Sequence, residues 1–449
     1  MNKFLLNSKN INKSTYIWNM IGSMLNAFQS VIFLMILTRV TDLSDSGVFT
    51  IAFADANLFL LIGKYGVRYF HASDASGKYD FTVYRKTRWI TTVLMLCISF
   101  AFTMISSKVI GYSTYKSMVI LWMCIFKLPD SIEDVYYGEY QRRGRLDVAS
   151  KAWSIRLILT SLVFGLALVI TKDLLKALII TTILTSALMV ILIWQTKSLI
   201  STATKLNEEN TNEGKGNEQV ANEKLANEQE ANELTGNIKC GMGNLFLECA
   251  PLFISTFLSF YVLNAPKYSI DALMTDEIQA KFGFVAMPVF VVSLLTSMMY
   301  NPVIQKLSVW WERKQVKDFN HEVWKQILYV VIVTLVCLLG AFLIGIPVLS
   351  LLYNTDLRDY KFDLMVMLIG GGFLGASNWL NAVLTIMRKQ KYMLIGYGLV
   401  SLLALIFMNL VTGKYGVNGV SVLFSLLMLL LMFVFIAIYL IGLRRRKHE

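Results

Sequence analysis

GVSVLFSLLMLLLMFVFIAIYLIGLRRRK, residues 419–447, decides how this chain folds. The apolar run it belongs to, 417–441, exceeds the roughly 20 residues an α-helix needs to cross a hydrocarbon core of about 30 Å. Arg444, Arg445, Arg446 and Lys447 then end it with a block of cations, the mark of a helix leaving the membrane on its cytoplasmic side. Eleven further runs precede it, at 15–38, 46–64, 89–107, 117–138, 154–171, 174–194, 244–264, 281–303, 326–348, 362–386 and 393–412. Hydrophobic residues make up 55% of the chain and charged ones 16%, which excludes a soluble single domain. The expected fold is all-α: a polytopic membrane protein of 12 transmembrane helices in two six-helix bundles.

Charge gives the orientation. With the N-terminus cytoplasmic, the inner segments carry 26 Lys and Arg, leaving out 195–243, against 10 in the outer segments. An excess of that size in short loops places both termini in the cytoplasm. The net charge of +12 then reflects membrane orientation and contact with lipid headgroups, and no nucleic-acid partner is expected. The first run is too long for a signal-peptide core and contains Asn19, Asn26 and Gln29, so it is kept as helix one. The five cysteines show neither C-x-x-C nor Cys/His spacing, so no disulfide framework or metal site is expected.

Composition changes abruptly between the halves. Asn-Glu recurs at 207, 212, 217, 222, 227 and 232, a five-residue period that builds no apolar stripe on a helix. We expect an N-terminal bundle over 1–194, a disordered cytoplasmic linker over 195–243, and a C-terminal bundle with a basic tail over 244–449. The linker has too little apolar surface to offset the entropy of ordering.

Polar residues at membrane depth are the site candidates, because such groups face protein or a wet cavity. Asn19, Ser23, Asn26 and Ser30 follow at spacings of four, three and four, which places them on one helical face. Asp55 falls near the middle of helix two and Lys127 near the middle of helix four, where they either pair or meet a ligand. Helix four continues through Pro129, Asp130, Glu133 and Asp134, read either as an ion-pair network with Lys127, Arg142, Arg143, Arg145 and Arg156 or as an ion-coupling site at Asp130 or Asp134. Glu248 is the only acid in helix seven and a further coupling candidate. Gly371 and Gly375 allow close helix approach in helix ten, and Asn378 and Asn381 beyond them are candidates to line a cavity.

Several stretches carry a family resemblance. Leu37-Thr38-Arg39 followed by Gly47-Val48-Phe49, Gly63 through Arg68, Tyr137 through Gln141, Asn301-Pro302 and Gly416 through Gly419 resemble bacterial polysaccharide-biosynthesis proteins. These are lipid-linked oligosaccharide flippases of O-antigen and capsule pathways, within the multidrug/oligosaccharidyl-lipid/polysaccharide exporter superfamily. The resemblance implies two bundles around a hydrated central cavity in the bacterial plasma membrane. It also implies a cargo of undecaprenyl-pyrophosphate-linked sugar, moved from inner to outer leaflet. Membrane lipids and a polysaccharide polymerase are the further partners it suggests. Relatives that handle peptidoglycan precursor carry arginines in helix one, whereas this helix has amides until Arg39.

On that reading, Asn19, Asn26, Asp55, Lys127, Asn378 and Asn381 line the cavity. Lys64, Arg68, Arg142, Arg145 and Arg156 attract the diphosphate at the inner mouth. No cofactor is expected, since G-x-x-x-x-G-K-[ST] is absent. The nearest rival is a multidrug/cation antiporter of the same superfamily, with Asp55, Asp130 and Asp134 supplying an acidic cavity. A membrane enzyme of polysaccharide synthesis is the rival from another class. It is disfavoured by the absence of H-E-x-x-H, G-x-S-x-G and any histidine within a run.

Overall fold

A computed structural model of the chain describes residues 2–74, 78–197, 199 and 241–448. The repeat expected to form a linker lies outside the described residues. Among those described there is no strand, and ten helices are long and apolar enough to cross a membrane. The chain is a multi-pass membrane protein.

The first half comprises α1 (Asn2–Leu6), α2 (Ile11–Val40), α3 (Leu43–Lys64), α4 (Val67–Ser73), α5 (Phe81–Val109), α6 (Thr114–Phe126), α7 (Leu128–Arg142), α8 (Leu146–Thr171) and α9 (Leu174–Thr196). The second comprises α10 (Met242–Leu273), α11 (Asp276–Tyr300), α12 (Ile304–Glu312), α13 (Val316–Gly340), α14 (Ile346–Tyr353), α15 (Lys361–Ile386) and α16 (Gln390–His448). Side-chain caps start several of them: Asn10, Ser113 and Asp173 accept from the backbone N–H three residues on.

Two helix breaks bring the crossings to the expected twelve. The run 114–142 is interrupted at Lys127, where α6 ends and α7 restarts with Pro129 in its first turn. The continuous stretch α16 is two crossings joined at Gly416, whose φ of 61° and ψ of −149° suit glycine alone.

The two sets of helices pack mostly on themselves. In the first, α2 lies on α8, α8 on α9, and α3 on α5 and α6; in the second, α15 and α10 lie on α16, and α11 on α15. The first has stacked rings at its heart, with the Phe33 and Phe164 centroids 3.9 Å apart. The second closes around the α15 glycines, where a Cβ on Gly372 would sit 2.5 Å from Thr334 Cγ2. α3 crosses between the sets, touching both α10 and α11. Its apolar window is 83% buried against 6% for the span 316–353, so α3 is the axis of the molecule and α13–α14 its lipid-facing rim.

One boundary departs from the sequence expectation in a way that matters. Helix seven was expected to end at 264, with an outer loop over 265–280. Instead α10 runs to Leu273, and only Met274 and Thr275 separate it from α11. Pro251 and Pro266 are accommodated inside the helix, and Lys267 becomes part of a membrane span.

Candidate functional site

A cavity of about 300 Å³ lies between the two sets of helices, walled by α2, α3, α10 and α11. Asn26, Ser30, Asn57, Asn264, Lys267 and Ser293 are among its polar lining, and five phenylalanines, Phe53, Phe260 and Phe290 among them, give it aromatic faces. Asn57 and Asn264 donate back to their own helices, to Phe53 O at 2.7 Å and Phe260 O at 3.1 Å, and among the described residues no donor is bonded to their Oδ1 atoms. Among the described residues Lys267 is the only cation lining this space. It is 8% exposed, its Nζ stands 5.8 Å from the Phe290 ring centroid, and among the described residues no carboxylate pairs with it. Composition and spacing had assigned this residue to a wet outer loop. The sequence signal that would have recovered it is the polar stripe Asn264, Lys267, Asp271, at spacings of three and four.

About seven residues along α2, near 10 Å by helical rise, a second cavity of about 640 Å³ opens at the end of the molecule where the basic segments gather. Asn19, Lys64, Arg68, Tyr69, Asp134, Gln141 and Thr256 line it. Arg68 donates to Gln141 Oε1 at 3.3 Å and stands 3.6 Å from Asp134. Asp134 is held more tightly by buried Arg88 at 2.6 Å. Arg68 and Arg88 thus share one carboxylate, and Lys64 lines the same opening, which leaves the mouth cationic.

Other sequence candidates are engaged elsewhere. Asp55 and Lys127 do not pair: Lys127 is buried behind Phe53, 4.6 Å from its ring centroid, with Gln29 Oε1 at 3.4 Å and Asp130 at 3.4 Å. Asp130 also accepts from Arg156, which bonds Glu133 at 2.5 Å. Two cations therefore face two carboxylates, and the cluster is neutral and closed. Arg142 and Arg143 are bound to Glu139, and Arg145 to Asp147 and Leu6 O, so neither Arg142 nor Arg145 lines the mouth. Glu248 pairs with Lys78 at 2.5 Å across the two sets. Asn378 reaches the central cavity indirectly, donating to Ser293 Oγ at 3.1 Å, while Asn381 donates to Tyr397 Oη within the second set.

Beyond the spans at this basic end, α4 docks on α7 through a buried pair. His71 Nε2 lies 2.7 Å from Glu139 Oε2, and the imidazole stacks on Tyr84 at 4.1 Å. Burial pulls the His71 imidazole below its usual range, against the opposing pull of Glu139. Burial pushes the Glu139 carboxyl up, but hydrogen bonds from His71, Arg142 and Arg143 outweigh it and hold it at about 2.

The opposite end is latched. Lys116 Nζ bonds Asp271 and Asp276 at 2.6 Å each, and the Tyr112 hydroxyl donates to Asp271. Arg39 donates to Leu352 O at 2.7 Å and Leu351 O at 3.0 Å, at the C-terminus of α14. α3 and α11 touch backbone to backbone: a Cβ on Gly47 would meet Asp276 O at 1.8 Å.

No family model and no curated protein matches this chain. Solved structures do match. An inward-facing multidrug resistance MATE family transporter of the MOP superfamily superposes with a TM-score of 0.60 at 11% identity, over 98% of this chain and 99% of that one. The lipid II flippase MurJ, in an inward closed conformation, gives 0.63 at 12% identity over 97% and 89%. A MOP superfamily transporter from Pyrococcus furiosus, described as having a binding pocket of reverse polarity, gives 0.53 at 12% over 99% and 98%. Identities this low speak for architecture alone, and on that evidence the chain has the fold of the MATE and MurJ transporters of the MOP superfamily.

Proposed function

We propose that this protein is a flippase that carries an undecaprenyl-pyrophosphate-linked oligosaccharide repeat unit across the bacterial plasma membrane. It would feed assembly of a cell-surface polysaccharide such as O-antigen, capsule or exopolysaccharide. The observation that carries this reading is Lys267, an ammonium with no counter-charge among the described residues, in a cavity between the halves. A buried cation is costly when unpaired, so the site is built for an anionic cargo. Amide oxygens on Asn57 and Asn264 suit sugar hydroxyls, and the phenylalanines suit the apolar faces of sugar rings.

The basic end is assigned to the cytoplasm by its lysines and arginines. The diphosphate would first meet Lys64 and Arg68 at the wide mouth, then Lys267 deeper in. Asn19 and Asn26 lie along α2 between these stations. The polyprenyl tail stays in lipid, so only the headgroup needs a polar path. With the mouth open and the far end latched by Lys116 and Arg39, the conformation corresponds to an inward-facing state. Release outward requires breaking those latches as the two bundles rock about the cavity. The chain's residues bind and orient cargo and form no covalent intermediate, consistent with a transporter and not an enzyme.

A cation antiporter is the second reading, favoured by the aromatic lining of the central cavity. Proteoliposomes separate the two. Translocation of a fluorescent lipid-linked oligosaccharide, lost on replacing Lys267, supports the flippase; uptake of fluorescent organic cations without it supports the antiporter.

A further inference from the structure

A second ammonium lies beside the central cavity, and one aromatic ring keeps it out. Phe53 lines that cavity and Lys127 does not. Lys127 is 1% exposed, with its Nζ 4.6 Å from the Phe53 ring centroid. Its partner Gln29 on α2 sits between Phe28 and Ser30, which both line the same cavity. The ammonium is therefore one side-chain layer behind the cavity wall.

Its bonding is loose for that depth. An ammonium has three donors. Lys127 directs two of them at Gln29 Oε1 and Asp130 Oδ2, both at 3.4 Å, longer than the roughly 2.7–3.2 Å of a good N–H···O bond. Among the described residues the third meets only the rings of Phe53 and Phe126. The carboxylates of this cluster are held chiefly by Arg156, which bonds Asp130 and reaches Glu133 at 2.5 Å and 2.8 Å. The Tyr137 hydroxyl also donates to Glu133, at 2.9 Å.

The same pairing of lysine and ring occurs across the cavity. Lys267 stands 5.8 Å from the centroid of Phe290, which lines the wall from the second set. Each set thus brings one lysine against one phenylalanine of the shared space, and only Lys267 reaches it. On the flippase reading, on which this inference rests, the cargo carries two linked phosphoryl groups, and one ammonium meets only one of them. Turning Phe53 to another rotamer removes the intervening layer while the backbone and the Asp130 contact stay in place. We propose that Lys127 is a covered second contact for the cargo diphosphate, uncovered when Phe53 turns aside. Cargo is then held by one ammonium from each set, which ties its binding to their relative position.

The test uses full-length purified protein and a short-chain prenyl diphosphate, with the matching monophosphate as control. Lys127→Met should weaken diphosphate binding by about tenfold or more and monophosphate binding much less. Phe53→Ala should strengthen diphosphate binding, and the gain should vanish when Lys127→Met is added. An equal effect of Phe53→Ala with and without Lys127 overturns the proposal. Because Lys127→Met also disturbs a buried network, a second readout leaves the lysine in place. A small amine-acylating reagent, its sites located by mass spectrometry, should modify Lys127 faster in Phe53→Ala than in wild type, and the diphosphate should protect it. Equal rates in the two proteins, or no protection, overturn the proposal. Wild type that binds no prenyl diphosphate defeats the flippase reading along with this one. Binding that depends on Lys267 and not on Lys127 defeats this inference alone.

Discussion

Replacing Lys267 by methionine separates a binding role from a structural one. The two side chains are similar in length and flexibility, so the space is kept while the charge is removed. If the ammonium contacts a diphosphate, a single unit-charge contact at about 4 Å has a Coulomb ceiling near 4 kcal/mol for an effective dielectric of about 20. A hydrogen bond to a charged group contributes about 1.5–3 kcal/mol net, which corresponds to roughly 10- to 150-fold in affinity for lipid-linked diphosphate. Stability should move the other way. Lys267 is 8% exposed with no carboxylate bonded to it among the described residues, so Lys267→Met relieves an unpaired buried charge. We expect a variant that melts at or above wild type, inserts normally, and loses most surface polysaccharide in cells and oligosaccharide translocation in proteoliposomes. Lys267→Arg should keep part of the activity. Wild-type translocation by Lys267→Met refutes the reasoning, and a marked fall in its melting midpoint refutes the claim that the lysine is unpaired.

Asp130→Asn leaves Lys127 and Arg156 with one carboxylate between them, Glu133. Breaking such a buried pair costs about 3–5 kcal/mol, so a large drop in melting midpoint and membrane yield is expected, and unchanged stability would contradict the closed-network assignment. Gly47→Ala puts a methyl where Asp276 O already lies, 1.8 Å from the built Cβ. The far end should then fail to close, and a cysteine introduced at Asn57 should label faster with an impermeant reagent added outside; labelling at the wild-type rate would count against it. The His71–Glu139 contact should weaken in acid. Glu139 is held at about 2 against its ordinary 4.5, so its contribution is complete above about 4.5 and is lost as pH falls toward 2. His71 is lowered from 6.5, so below that pH the unfolded chain takes up a proton that the folded one resists, and the sign is the same. Protection of the α4 amides against hydrogen exchange, taken relative to the intrinsic exchange rate at each pH, should fall from neutral to acid pH, and constant protection would argue against the assignment.

The architecture was legible because membrane spans announce themselves locally. Apolar length located each crossing, and Pro129 and Gly416 marked where α7 restarts and α16 bends. The site was less legible. Lys127, Asp130 and Arg156 were recognisable as buried charges, but their closure into a neutral set depends on α8 packing against α7. Asp55 was expected near the middle of helix two, beside Lys127 or a ligand, and it lines a space on the other side of α3 from the central cavity, because periodicity gives a face only relative to neighbours that are not yet positioned. Lys267 was lost to a boundary error: Pro266 and a following charge are the usual signs of a helix ending, and here a wet cavity removes the reason to end. Contacts such as Lys78 with Glu248 join residues separated by 170 positions, a pairing no local pattern encodes.

The Arg39 latch grips main-chain oxygens of Leu351 and Leu352, not side chains. Those carbonyls belong to the last turn of α14, where helices leave acceptors unfilled and carry partial negative charge. Any amino acid at 351 or 352 presents the same two oxygens. Genetic suppressors of a defective clasp should therefore cluster around the arginine and the helix it springs from, and almost never at the two leucines it holds.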